Sequence, residues 1–336
     1  MFWVCLGIVS MLSPALLVGL AIVTMHLYVR ATFLEHLVRI FREKPLFVIP
    51  RGQPIDGADL VWLTTPDGLR LRGCYFLAVG PRKGVILFGL EFGSDCWSAL
   101  QYCDSLIHAG YDVFTLEPRN QGQSEKQPGY EQLQWTTDRD LIDTQTAIDY
   151  LKSRDDADPR GIGFFGVSKG GSVGLIAASK DPFICCAVTD GIFGIYTTMV
   201  PYMRRWITIY SANTLAQGLM PTWFYSWIAH VGVHRIERES NVRYVNLEAA
   251  MRTFHRPLLM IHGEGDTYIK PAMAQALFAM AKQPKELWIV PNAKHNQAHQ
   301  IEATEYPRRV CDFFDLHLAI PFPVPTVEET LTPVSH

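Results

Sequence analysis

The chain has 336 residues, 48% of them apolar and 19% charged, with a formal net charge of −3. That length suits one large α/β domain or two ordinary ones, each with a substantial core. A slightly acidic chain lacks the basic field that neutralises phosphates, which argues against nucleic acid as a partner.

The first predicted element is apolar throughout. From Phe2 to Val29 there is no Asp, Glu, Lys or Arg, and the run exceeds the roughly 20 residues that cross a bilayer core. Residues 1–29 therefore read as a transmembrane anchor. A cleaved signal is the competing reading, but no Lys or Arg precedes the run and Gly19-Leu20-Ala21 is a weak cleavage site. Residues 30–58 follow as an amphipathic helix and linker. Leu34, Leu37, Val38 and Phe41 recur at helical spacing, with Arg30, Arg39, Arg42 and Lys44 among the polar positions. Two readings are open for this helix, one on the membrane surface and one packed on the domain itself; Pro45 ends it in both. Cations that all follow the span place the bulk of the chain in the cytoplasm, the alternative being export by an N-terminal signal. The seven cysteines contain no C-x-x-C pair and no zinc-like spacing. Reduced, buried thiols fit both observations.

Beyond the linker, "DLVWLTTPDGLRLRGCYFLA" alternates on both sides of Pro66-Asp67-Gly68, which predicts a hairpin turning there. Six short apolar runs follow, separated by helical stretches: "GVILFGL", "YDVFTLEP", "GIGFFGV", "FICCAVTD", "PLLMIHG" and "KELWIVP". Runs buried on both faces and alternating with helices predict a mostly parallel sheet with helices on either side. Trp97, Leu100, Cys103, Leu106 and Ile107 define one helix ending at Gly110, and Leu141, Ile142, Ala147, Ile148 and Leu151 define another. The core thus spans 59–190 and 257–320. Between these parts, 191–256 is rich in aromatics, among them Tyr196, Tyr202, Trp206, Tyr210, Trp223, Phe224, Tyr225 and Trp227, has no clear strand, and reads as a helical cap over the C-terminal edge of the sheet. Residues 321–336 form a tail.

The chemistry sits where strands end. In "GFFGVSKGG" a strand meets a hydroxyl, Ser168, flanked by Gly166 and Gly170. A serine hydroxyl is a poor nucleophile until a base, an orienting carboxylate and oxyanion donors surround it. A tight strand-to-helix turn exposes the side chain and aims the helix's unpaired N–H groups at the developing charge. Asp266 follows "PLLMIHG" and His295 follows "KELWIVP", so nucleophile, acid and histidine occur in that order, each at a strand's C-terminal end. Asp190 and Glu264 are rival acids. His262 reads as structural, His108 as a helix-surface residue, and His299 does not complete a metal site with His295.

Together with "TLEPRNQGQSE", this set resembles the α/β-hydrolase superfamily over about residues 59–318. The resemblance implies Ser168 as nucleophile, His295 as general acid/base and Asp266 as its partner. It also implies an oxyanion hole made of the backbone N–H groups of Lys169 and Leu90. Many relatives place His-Gly where this chain has Phe88-Gly89. Glu91, beside the hole, is expected to point to solvent, as is the Lys169 side chain, whose alternative role is to meet a substrate anion.

The expected activity is that of a membrane-tethered serine hydrolase acting on carboxylic esters, including lipid esters, without metal or diffusible cofactor. Acyl-CoA thioesterase is the second reading, because "GVSKGG" is similar to the elbow of such enzymes. A serine peptidase is the third, although such peptidases normally carry a large propeller. A non-catalytic membrane scaffold is the reading from another class. The sequence is silent on oligomeric state. A chain beginning near Pro45 is expected to keep activity towards soluble short esters.

Overall fold

The computed structural model describes residues 2–42, 51–210 and 221–319. Pro45, the tail and part of the expected cap lie outside them.

Eight strands form one sheet in the order β1-β2-β4-β3-β5-β6-β7-β8. β1 (Ala58–Thr64) and β2 (Arg70–Phe76) are the expected hairpin, in antiparallel register around the Pro66–Gly68 turn. β2 also runs antiparallel to β4 (Tyr111–Leu116). From there the sheet is parallel through β3 (Gly84–Gly89), β5 (Ile162–Val167), β6 (Ile184–Asp190), β7 (Leu258–Gly263) and β8 (Lys285–Val290). This is the α/β-hydrolase fold, with both sheet faces covered.

Alternation along the strands supplies two cores. Val85, Leu87 and Phe164 face a cluster with α3 (Asp138–Ser153), α4 (Ser168–Lys180), α7 (Leu247–Thr253) and α8 (Pro271–Met280). Ile86, Phe88, Phe165 and Val167 face the other, with α2 (Leu100–His108) and α9 (Glu305–His317). Side chains that point alternately up and down account for this division. α3 starts on a capping box, in which the Thr137 hydroxyl accepts from the Asp140 N–H and the Asp140 carboxylate accepts from the Thr137 N–H. Cys74, Cys96, Cys103, Cys185, Cys186 and Cys311 are free thiols.

Between β6 and β7 lie α5 (Ile195–Tyr210), α6 (Thr222–Ser240) and α7. α5 and α6 share an apolar cluster with Trp135, Phe193, Ile269 and Met273. The first helix, α1 (Phe2–Arg42), is continuous, with Pro14 inside it. Its segment Pro14–His36 is long and apolar enough to cross a membrane by length and composition. Towards its C-terminal end Leu34 and Val38 are 6% and 4% exposed, buried in the same cluster as Phe224 and Ile228 of α6. Of the two sequence readings for this helix, contact with the domain is therefore realised by these two side chains.

Candidate active site

Central strand β5 is buried along its whole length and ends at Val167. Ser168 then adopts φ +53°, the left-handed region that a non-glycine residue seldom occupies. Strain of this kind persists only where the surroundings enforce it. Here they do: a Cβ on Gly166 would lie 2.6 Å from the Gly171 Cα, and one on Gly170 would overlap the Leu90 carbonyl. The end of β3 and the first turn of α4 thus meet backbone to backbone, which only glycine permits. The Ser172 hydroxyl donates to the Ser168 carbonyl (3.0 Å) and accepts from the Phe193 N–H (3.1 Å), tying the elbow to the segment leading into α5. Sequence reasoning missed Ser172; a hydroxyl one turn into the nucleophile helix was the available signal.

The structure brings Ser168, His295 and Asp266 together. Ser168 Oγ is 3.1 Å from His295 Nε2, and His295 Nδ1 is 2.6 Å from Asp266 Oδ2. With Nδ1–H donating to the carboxylate, Nε2 is left to accept the serine proton; the partners assign this tautomer. Asp266 is buried, and its other oxygen accepts the N–H groups of Tyr268 and Ile269, both at 2.8 Å. These bonds hold the carboxylate in the rotamer that faces His295. His262 is also buried, bonded from Nε2 to the Ile269 carbonyl at 2.7 Å, and burial lowers its pKa. It therefore braces the Asp266 turn, as expected of a structural residue. Ser168 itself is only 2% exposed.

The rival acids lie elsewhere. Asp190, at the end of β6, accepts from the Tyr306 hydroxyl at 3.0 Å. Burial pushes its carboxyl up to about 7. Glu264 is exposed and receives the Asn292 N–H at 3.4 Å. The amides assigned to the oxyanion hole flank the elbow. Lys169 is the second residue of α4, where an N–H has no intrahelical acceptor. Leu90 follows β3, and its carbonyl abuts Gly170.

Two side chains depart from expectation. Lys169 does not reach solvent. Its ammonium is buried, donates to the Leu133 carbonyl at 2.7 Å and pairs with Asp140 at 2.9 Å. The capping-box carboxylate of α3 thus neutralises it. Glu91 is also buried rather than solvent-facing. Its carboxylate accepts from the Tyr102 hydroxyl (2.5 Å) and from the Asn296 amide (2.6 Å), next to His295. Burial raises its pKa, opposed by these two hydrogen bonds. Such donors are what make an interior carboxylate tolerable. The His299 ring packs tilted against Tyr102, with centroids 4.4 Å apart, and burial lowers its pKa to about 4. His108 is exposed on α2, its ring bonded to the Asp104 carbonyl.

The "TLEPRNQGQSE" block also has a structural role that the sequence did not reveal. Arg119 is fully buried, bonded to Asp143 at 2.6 Å through Nη2 and to Asp67 at 2.6 Å through Nη1. The first hairpin's turn is thereby locked onto α3.

Comparison with known proteins gives the same architecture. The family model for the prolyl oligopeptidase family matches residues 102–320. The uncharacterized protein YfhR of Escherichia coli K12 is 26% identical over 250 residues, covering 72% of this chain and 74% of YfhR. The α/β-hydrolase domain-containing protein WAV2 of Arabidopsis thaliana is 31% identical over 160 residues, 44% of this chain and 49% of WAV2. Among solved structures, the esterase Pf2001 of Pyrococcus furiosus superposes with a TM-score of 0.59 at 22% identity, covering 82% of this chain and 97% of its own.

Proposed function

Because the chain belongs to the prolyl oligopeptidase family, a hydrolase family of the α/β-hydrolase superfamily, we propose that it is a membrane-tethered serine hydrolase of carboxylic esters. The observation that carries this reading is the continuous relay from Asp266 through His295 to Ser168, with bonds of 2.6 and 3.1 Å. Ser168 Oγ attacks the ester carbonyl carbon as His295 Nε2 takes its proton. The N–H groups of Lys169 and Leu90 hold the tetrahedral oxyanion; a donor in such a position is worth about 10²–10³ in rate. The imidazolium, held by Asp266, returns the proton to the departing alcohol and leaves an acyl-serine. Water deprotonated by His295 then releases the acid. Neither metal nor diffusible cofactor enters these steps.

The tether is the Pro14–His36 segment, with the cations after it favouring a cytoplasmic catalytic domain. The segment 191–256 serves as a cap, and its aromatics favour an apolar acyl group, in line with lipid or long-chain esters. Matched p-nitrophenyl esters and acyl-CoAs of several chain lengths test the reading on full-length protein. Ester turnover that exceeds thioester turnover and disappears in Ser168→Ala is expected; preferred acyl-CoA turnover would favour the thioesterase. The family match also favours a peptidase as a second reading. Cleavage of prolyl peptides faster than esters would select it.

A further inference from the structure

We propose that the N-terminal end of α6 is a second membrane contact, lying in the lipid headgroup region beside the apolar helix α1. The inference deepens the tethered reading above and rests on it.

α1 and α6 run side by side in the same direction. His26 of α1 meets the rings of Trp223, Phe224 and Trp227, with centroids 5.8, 4.5 and 5.2 Å away. Further along, Glu35 pairs with Arg235 at 2.5 Å, and Arg42 pairs with Glu239. α6 therefore begins at the level of His26 and points its first turn along α1 towards the apolar segment. Before that level, residues 14–24 are all exposed. At 1.5 Å per residue they extend about 16 Å past α6.

The apolar surface does not stop at α1. Leu16, Leu17, Leu20, Val23 and Leu27 are exposed, and next to them Trp223 and Trp227 are 60% and 39% exposed on α6. Their neighbour Phe224 points inward and is fully buried, so packing the cap does not require the tryptophans to face outward. Large apolar side chains left outside in this way mark a contact surface. Tryptophans at the level where a membrane helix leaves the hydrocarbon match the interfacial preference of an amphipathic indole. The cations are placed to suit the same occupant. Arg204 bonds the Thr222 hydroxyl at the start of α6, and Arg30 is exposed one turn beyond His26. Arg204 thus sits at the start of α6, and Arg30 lies one turn from the His26 that meets the tryptophans, at the depth where lipid phosphates would lie. The committed occupant is thus a phospholipid bilayer. With the start of α6 in the headgroups, the proposed cap borders the membrane, and the substrate class that suits it is an acyl ester resident in that membrane.

The test uses full-length protein in vesicles of phosphatidylcholine with a minority of phosphatidylglycerol, containing acyl-brominated lipid. Tryptophan quenching is compared between wild type and W223F/W227F, with bromines placed shallow or deep. The proposal expects wild type to lose clearly more emission than the double variant, with the difference largest for shallow bromines. Equal fractional quenching in the two, in protein that floats with the vesicles, overturns it while leaving the tether intact. Protein that does not float removes the tether and this contact together. Tryptophans shielded from bromine in a cross-linkable dimer would assign the surface to a second copy. If the double variant does not fold, the single W223F and W227F variants carry the same comparison. Because the readout is fluorescence, loss of hydrolysis cannot be mistaken for loss of the contact.

Discussion

Replacing Asp190 with asparagine separates the two acids that compete for the histidine and measures what a buried carboxyl costs the fold. Asp190 is wholly enclosed. Burial raises its pKa from 3.8 to about 7, with the Tyr306 bond and His295 pulling it down and Glu91 and Asp266 pushing it up. A displacement of that size corresponds to about 4 kcal/mol between the two protonation states. The folded pKa is the higher one, so the neutral acid favours folding. Its contribution is complete below the unfolded value and is lost as pH rises through about 7. Asp190→Asn stays neutral and keeps an acceptor for the Tyr306 hydroxyl. Its advantage over wild type in urea unfolding should therefore grow by up to about 4 kcal/mol between acid and mildly alkaline pH. Ester turnover should change by only a few fold, whereas Asp266→Asn should lose about 10⁴-fold, as a triad deprived of its acid does. A stability difference that is flat across this pH range, or turnover that collapses in Asp190→Asn, would refute the reasoning.

Glu91→Ala removes the acceptor of two buried donors, Tyr102 and Asn296. It should cost about 1–3 kcal/mol per orphaned group and lower kcat more than Glu91→Gln, by thermal unfolding and steady-state kinetics. Lys169→Met leaves Asp140 buried without its cation and should destabilise by about 3–5 kcal/mol, seen as a lower thermal midpoint. Starting the chain at residue 45 deletes Leu34 and Val38, each worth roughly 1.5–3 kcal/mol of burial, and uncovers their partners on α6. Such protein should still turn over soluble short esters, as the sequence leads one to expect, but be less soluble and less active than one starting at residue 25, compared by light scattering and turnover.

The sheet was legible because alternation on both sides of Pro66–Gly68 marked its first two strands, and short apolar runs between helical stretches marked the other six. Ser168, Asp266 and His295 were legible because each follows a strand marked in the sequence, in the chain order that the resemblance to the α/β-hydrolases implies. What the sequence did not reveal depends on distant partners. Lys169 and Glu91 are charged, and charge alone predicts exposure; their burial requires Asp140, Tyr102 and Asn296, none near in sequence. Arg119 likewise joins Asp67 and Asp143 across the chain. The fate of Leu34 and Val38 was undecidable from one amphipathic stripe, because the partner helix α6 lies about 190 residues away.

A fluorophosphonate probe, which forms a covalent bond only with an activated serine, examines the proposed chemistry most directly. Intact-mass analysis of folded wild type should show one probe per chain, attached to Ser168, and Ser168→Ala should show none. Unmodified wild type, or equal labelling of the alanine variant at another serine, would contradict a nucleophile activated by His295.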